Sequence, residues 1–250
     1  MRKFGLIGYP LGHSFSRQYF TEKFQLENIS DCLYNNYQLA SITELPGLLY
    51  SDPLLEGLNV TIPFKTEVLK YLDKIDPEAN QVGAVNVLKI GRKRTEAVIS
   101  GFNSDIFGIH ETLKPVLSRK IQNAIVLGTG GSSRAVCYLL NKINVRYTLI
   151  SRSLKPGCLT YAGLSSELLG KTQLIVNTTP LGMFPDIDGK PDIRYDLLNE
   201  KHVLFDLVYN PEMTAFLKEG KVRGCTVLTG LKMLYAQAER SWEIWNDRNL

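Results

Sequence analysis

The stretch Ile125-Val126-Leu127-Gly128-Thr129-Gly130-Gly131-Ser132-Ser133-Arg134-Ala135 holds an apolar run, a glycine turn and the start of a helix-compatible segment reaching Lys142. A strand, a tight turn and a helix N-terminus in that order can hold a pyrophosphate. Gly128 permits the turn, Gly130 lets backbone N–H groups approach, and the helix start supplies partial positive charge. Ser133 occupies the third glycine position and is small enough for close helix–strand packing. Such a turn is often only a turn, so the next strand decides. About 20 residues on, NAD-binding versions carry an acidic residue for the ribose 2′-OH. Here Arg146–Ile150 runs into Ser151-Arg152-Ser153-Leu154-Lys155, without Asp or Glu. An arginine flanked by two hydroxyls suits a 2′-phosphate through planar charge-assisted hydrogen bonds. A solvated basic turn is the plain alternative, but the position favours the phosphate, and so NADP.

A second set of polar residues lies where N-terminal strands should end. Gly8-Tyr9-Pro10-Leu11-Gly12-His13-Ser14-Phe15-Ser16 follows the first strand, and its two alternate hydroxyls suit either a carboxylate or polyol, or a turn with a helix cap. In Asn59-Val60-Thr61-Ile62-Pro63-Phe64-Lys65, Pro63 ends a strand and Lys65 is expected to open a helix, where its charge opposes the macrodipole. A lysine there is either exposed and indifferent or held by a carboxylate. Gly83-Ala84-Val85-Asn86 adds an amide at a strand start, and Gly101-Phe102-Asn103-Ser104-Asp105 sets a carboxylate at the start of a helix. A Lys–Asp pair facing a nicotinamide would supply a proton donor and acceptor for interconverting a secondary alcohol and a ketone. Spacing alone does not bring Lys65 and Asp105 together.

The elements that must position these residues alternate. Strand-like runs fall at Lys3–Gly8, Leu33–Gln38, Gly57–Thr61, Ala84–Ile90, Glu96–Ser100, Ala124–Leu127, Tyr147–Ile150, Leu174–Asn177, Val203–Asp206 and Thr226–Leu228. Helical patterns between them include Arg17–Asn28, Phe64–Leu72, Ile106–Val116 and Ser133–Asn141. Alternation of this kind predicts an α/β fold built on mostly parallel sheet. A boundary is expected near residue 102, after a hairpin from Lys89 to Ser100. Leu231, Leu234, Ala238, Trp242 and Trp245 mark one face of a C-terminal helix. Two domains with ligands at the carboxyl ends of their strands predict a substrate cleft.

Composition excludes several classes. A net charge of +4, from 29 basic and 25 acidic residues, is spread along the 250-residue chain. The one dense cluster, Arg92-Lys93-Arg94, reads as a solvated hairpin turn, so no nucleic-acid footprint is expected. The N-terminal apolar run is too short for a signal peptide, and no segment approaches the roughly 18 apolar residues of a membrane span. Cys32, Cys137, Cys158 and Cys225 are far apart in sequence and read as buried, reduced thiols of a cytoplasmic protein. With His13, His110 and His202 the only histidines, no metal site is expected.

Taken in order, His13-Ser14-Phe15-Ser16, Asn59 through Lys65, Gly83 through Asn86, Gly101 through Asp105, Gly128-Thr129-Gly130-Gly131, Asn177-Thr178-Thr179-Pro180-Leu181-Gly182-Met183, Asp206-Leu207-Val208-Tyr209-Asn210-Pro211 and Gly230 through Gln237 resemble the shikimate dehydrogenase family. The resemblance spans nearly the whole chain. It implies an N-terminal α/β substrate domain (residues 1–102), a Rossmann-type doubly wound parallel-sheet domain (103–230) and a C-terminal helix (231–250) returning to the first. It implies reversible NADPH-dependent reduction of 3-dehydroshikimate to shikimate, on the route to chorismate and the aromatic amino acids, by a monomer or homodimer. Carried over residue by residue, Ser14 and Ser16 would hold the substrate carboxylate, and Thr61, Asn86, Asp105, Tyr209 and Gln237 its hydroxyls or the pocket wall. Lys65 would transfer the proton, partnered by Asp105. Gly128, Thr129, Gly130, Gly131 and Ser132 would cradle the pyrophosphate, Ser151, Arg152 and Ser153 the 2′-phosphate, and Leu207 and Gly230 the nicotinamide side. Three departures stand out: Arg17 replaces the usual proline, Ser104 the usual threonine, and Ser151-Arg152-Ser153 the usual Asn-Arg-Thr. Two other readings are a quinate/shikimate dehydrogenase with relaxed NAD/NADP use, which an acidic residue after the second cofactor strand would favour, and a non-catalytic dinucleotide-binding regulator, which loss of Lys65 or Asp105 would favour.

Overall fold

The structure is a computed structural model that describes residues 1–11, 15–93, 96–247 and 249. It divides into two compact units: Met1–Ser104 with Ala238–Leu250, and Asp105–Gln237. The first holds β1 (Arg2–Gly8), α1 (Phe15–Leu26), β2 (Cys32–Gln38), α2 (Leu45–Ser51), β3 (Leu55–Val60), β4 (Lys74–Ile75), α3 (Pro77–Val82), β5 (Val87–Lys93) and β6 (Glu96–Phe102). The second holds α4 (Asp105–Leu113), β7 (Asn123–Leu127), α5 (Gly131–Lys142), β8 (Arg146–Ser151), β9 (Cys158–Thr160), α6 (Ser166–Lys171), β10 (Leu174–Asn177), β11 (Val203–Asp206), α7 (Ala215–Val222) and β12 (Thr226–Leu228). The last helix, α8 (Gly230–Asn246), contributes residues to both.

The sheet of the first unit runs β2-β1-β3-β5-β6-β4. Three of its five pairings are parallel, in keeping with the mostly parallel sheet expected, and the expected hairpin is its β5–β6 pair. β1 pairs parallel with β2 and β3, but β3–β5 and β5–β6 are antiparallel. The reason is the short β5–β6 connection, which permits only a hairpin. Alternation along β1 splits the core over two faces. Phe4 and Leu6 pack with Phe20, Phe24, Tyr34, Ile244 and Trp245, while Ile7 packs with Ile42, Leu45, Leu58 and Leu88 on the other side. The C-terminal residues of α8 belong to the first face. Trp245 stacks on Phe4 at 4.8 Å and donates its indole N–H to the Leu88 carbonyl at 3.0 Å. Trp245→Phe keeps the stacking but removes that donor and some volume. It is expected to cost about 1–2 kcal/mol, read as a lower denaturation midpoint with an unchanged m-value.

Two local expectations do not hold. The segment expected as a helix over Phe64–Leu72 is a series of turns followed by a 3₁₀ helix at Glu67–Tyr71. The Phe64 carbonyl takes the Val68 N–H at 2.9 Å, as in a helix, but the Lys65 carbonyl is taken by the Val85 N–H at 2.8 Å. That long-range bond interrupts the helical ladder, so the macrodipole does not bear on Lys65. Arg92 lies in β5, and its guanidinium donates to the carbonyls of Leu49, Asp52 and Pro53 at 3.0, 3.1 and 3.0 Å. It thereby caps the end of α2, which is not the solvated role expected; Arg94 lies outside the described residues.

The second unit has an all-parallel sheet in the order β12-β11-β10-β7-β8-β9. The strand order reverses direction between β7 and β10, the switch point where doubly wound sheets bind ligands. Ala124, Ile125, Val126 and Leu127 are buried on both faces, which explains why this strand reads as a continuous apolar run. Among the described residues, no helix is long and apolar enough to cross a membrane, and no group of three or more His, Cys, Asp or Glu is placed to hold a metal. Cys32, Cys137 and Cys225 are buried free thiols, but Cys158 is half-exposed on the edge strand β9.

Candidate active site

In the first unit, three separated segments are drawn to the carboxyl end of β3 by backbone bonds. The Lys65 carbonyl accepts the Val85 N–H, and the Asn86 carbonyl accepts the Val60 N–H at 2.8 Å. Asn86 is buried, and its side chain grips the third segment. Its Oδ1 accepts the Ser104 N–H at 2.7 Å, and its Nδ2 donates to the Ser104 hydroxyl at 3.0 Å. Asn103 donates to the Ala84 carbonyl at 2.9 Å. Asp105 follows directly as the first residue of α4, buried. Thr61 and Lys65 are half-buried in the turns after β3, and the Thr61 N–H donates to the Ile7 carbonyl at 2.9 Å.

Ser16 is the second residue of α1, not its cap, so the capping alternative does not hold for it. Burial pushes the Tyr34 phenol far above its ordinary pKa, against a smaller lowering effect of the Ser16 side chain. Ser14, like Gly12 and His13, lies outside the described residues.

In the second unit, the glycine turn has the geometry its sequence demands. Gly128 has φ of +108°, and a Cβ there would stand 2.6 Å from the Thr178 hydroxyl, itself held on the Leu127 carbonyl at 2.6 Å. Gly130 caps α5 without a side-chain hydrogen bond, and a Cβ on it would meet no atom within 4 Å. Protein packing therefore does not require glycine at 130; the open space suits a phosphate approaching the helix start. Ser133 is buried and donates to the Gly130 carbonyl at 2.7 Å, so the third small residue closes the turn against the helix. Gly131 and Ser132 begin α5, both half-buried.

At the end of β8, Ser151 is buried while Arg152 and Ser153 are exposed. The Lys155 ammonium donates to the Thr129 hydroxyl at 3.1 Å, which sets a second cation beside the glycine turn. Sequence reading noted Lys155 within the basic run but gave it no role; only the fold brings it back to Thr129. These residues fit a phosphorylated dinucleotide: an open glycine turn, a helix start, and two cations within five residues of β8.

Asp206 was also missed as an individual residue. It is fully buried at the end of β11 and accepts from Asn177 Nδ2 at 3.0 Å, the Val208 N–H at 3.0 Å and the Thr214 hydroxyl at 2.6 Å. The Leu207 N–H donates to the Asn177 carbonyl at 3.0 Å, so Asn177 and Asp206 together hold the ends of β10 and β11. A Cβ at Gly230 would lie 2.5 Å from the Leu207 carbonyl oxygen, so α8 can start against this loop only with glycine. Tyr209 and Gln237 are half-buried, and burial raises the Tyr209 phenol, which keeps it a protonated donor.

Comparison with known proteins shows the family. The model of the shikimate dehydrogenase substrate binding domain matches residues 6–88. A shikimate dehydrogenase (NADP(+)) from Methanococcus aeolicus is 36% identical over 96% of this chain and 90% of its own length. One from Clostridium beijerinckii is also 36% identical, over 100% of this chain and 94% of its own. The chain is similar as well to the crystal structure of shikimate 5-dehydrogenase from Thermus thermophilus in complex with NADP(H) and shikimate, with a TM-score of 0.83, 31% identity and coverage of 98% and 94%. At such identity over nearly full length, the chain belongs to the shikimate dehydrogenase family.

Proposed function

We propose that this chain catalyses the reversible reduction of 3-dehydroshikimate to shikimate with NADPH, residues 1–102 and the C-terminal helix forming the substrate domain and residues 103–230 the NADP domain. The observation that carries this reading is the pair of links Lys65–Val85 and Asn86–Ser104, which gather the lysine, amide and carboxylate segments at one strand end. Ser14 and Ser16 hold the substrate carboxylate. Thr61, Asn86, Tyr209 and Gln237 bind its hydroxyls or wall the pocket. When bound, NADPH supplies the hydride to the ketone carbon. Lys65 gives a proton to the ketone oxygen as the alcohol forms and takes it back in the reverse direction. Asp105 keeps the ammonium of Lys65 in place and accepts a hydrogen bond from the substrate. Gly128, Thr129, Gly130, Gly131 and Ser132 hold the pyrophosphate, Leu207 and Gly230 border the nicotinamide, and Ser151, Arg152 and Ser153 hold the 2′-phosphate with Lys155. The four cysteines are free thiols, as a cytoplasmic compartment keeps them.

The test is one spectrophotometric assay of NADP and NAD reduction with shikimate and with quinate. Turnover is expected with shikimate and NADP; turnover with quinate and NAD alone would replace this reading with the quinate one. Cofactor choice rests on Arg152. A hydrogen-bonded charge pair contributes about 1.5–3 kcal/mol, so Arg152→Ala is expected to raise KM for NADP roughly tenfold or more and leave NAD nearly unchanged. Equal losses for both cofactors would make the arginine structural.

A further inference from the structure

A hydrogen-bonded path of side chains crosses the interior of the first unit. The Tyr34 phenol donates to Asn59 Oδ1 at 2.8 Å. Asn59 Nδ2 donates to the Ser241 hydroxyl at 2.9 Å. The hydroxyls of Ser241 and Ser104 share a hydrogen bond at 3.2 Å, and Ser104 holds both ends of the Asn86 amide. Tyr34, Asn59, Asn86, Ser104 and Ser241 are all buried, the two serines completely. The path thus runs from Tyr34 to Asn86, the residue that the proposed function places on a substrate hydroxyl or in the pocket wall. The residues between them have no role in that reading.

We propose that Tyr34, Asn59, Ser241 and Ser104 are positioning residues that hold Asn86 in the geometry the substrate requires, with Ser241 of α8 as the central link. The inference rests on the shikimate reading and deepens it. Each member has its orientation set by its neighbour. With its oxygen on the Tyr34 phenol and its nitrogen on Ser241, the Asn59 amide cannot turn without losing both bonds. The Asn86 amide is likewise fixed, because Ser104 offers its N–H to the oxygen and its hydroxyl to the nitrogen. A chain of buried groups satisfied in this way is rigid, and one broken link leaves a desolvated donor that pulls its neighbour out of place. An interior serving stability alone is filled at lower cost by apolar side chains. A link to a binding group at its end explains why polar ones stand here.

Two variants of the full-length chain test this, Ser241→Ala and Tyr34→Phe. The second keeps the ring volume, so it carries the test if the first does not fold. Shikimate affinity is read by isothermal titration calorimetry, kcat and KM by the NADP assay, and NADP affinity separately. Each variant is expected to bind shikimate roughly tenfold more weakly, the effect of one unsatisfied buried group, and to raise KM more than it lowers kcat. NADP affinity should stay within about twofold, since the residues proposed to hold it lie in the other unit. The double variant should lose less than the product of the single losses, because both act through Asn59. Shikimate affinity and KM within about twofold of wild type in both variants, whatever happens to thermal stability, would overturn the proposal and leave the path structural. If the unaltered protein binds no shikimate, the substrate reading falls and takes this proposal with it. Wild-type binding with unaffected variants overturns the proposal alone.

Discussion

Lys65→Ala is expected to lower kcat for shikimate oxidation by roughly a hundredfold or more, the usual contribution of a positioned acid–base group. KM should move little, because an interaction made mainly in the transition state lowers kcat and kcat/KM together. The structure makes this a clean substitution. The Lys65 backbone is held through its own carbonyl by the Val85 N–H, and the preceding Phe64 is buried, so the turn keeps its place when the side chain is shortened. What is lost is the ammonium and the aliphatic stem that carries it. Asp105→Asn should also damage kcat, since it removes the charge proposed to hold Lys65. The double variant should lose less than the product of the two single losses, as groups acting as a unit do. A Lys65→Ala enzyme with near-normal kcat and a greatly raised KM would reduce Lys65 to a binding residue and sink the dyad.

What made the glycine turn legible was local, whereas a role for Lys65 came from the family resemblance and not from spacing. Gly128 and Ser133 are dictated by contacts with near neighbours in sequence or with the adjacent strand, and the apolar strand β7 has no other use for its residues. The α/β class followed from the alternation of periods for the same reason. What was not legible depends on bonds between distant segments. The Val85 N–H captures the Lys65 carbonyl, and this turned an expected helix into turns and a 3₁₀ helix. Arg92 looked solvated because nothing in its own neighbourhood shows that three carbonyls at the end of α2 lie within its reach. Strands β4 and β9, two and three residues long, are too short for a period to register. Lys155, Tyr34 and Ser241 likewise act on residues 26, 25 and 182 positions away. Sequence patterns announce such residues only when a known family has already placed them. Ser241 sits on a helix whose apolar face was correctly read, but as a buried polar residue between Ala238 and Trp245 it leaves no mark in an apolar period.

Asp206 is the other residue whose replacement should have a large effect, and its signature is a pH dependence. Burial raises its carboxyl from an ordinary 3.8 to about 6, against the lowering effects of hydrogen bonds from Thr214, the Val208 N–H and Asn177. The folded state therefore holds this proton more tightly than the unfolded chain does. The group's favourable contribution is complete below about pH 4 and is lost as the pH rises through about 6, on the order of 3 kcal/mol in all. Asp206→Asn imitates the protonated acid: one oxygen remains for Asn177 and Val208, and the amide nitrogen can donate to the Thr214 hydroxyl. Measured by urea unfolding, the variant should gain stability relative to wild type as pH rises from 4 to 7. A difference that stays flat across that range would show an ordinary carboxylate. Asp206→Ala is a harsher change at every pH, because Asn177 Nδ2, the Val208 N–H and the Thr214 hydroxyl all lose their acceptor inside the protein. It should cost about 2–5 kcal/mol, from buried donors left unsatisfied at about 1–3 kcal/mol each. Since Asn177 and Asp206 fix the loop carrying Leu207, against which Gly230 starts α8, the same variant should bind NADP more weakly. An alanine variant of wild-type stability would mean that the three donors find other acceptors, and Asp206 would then have no part in shaping the cofactor side of the second unit.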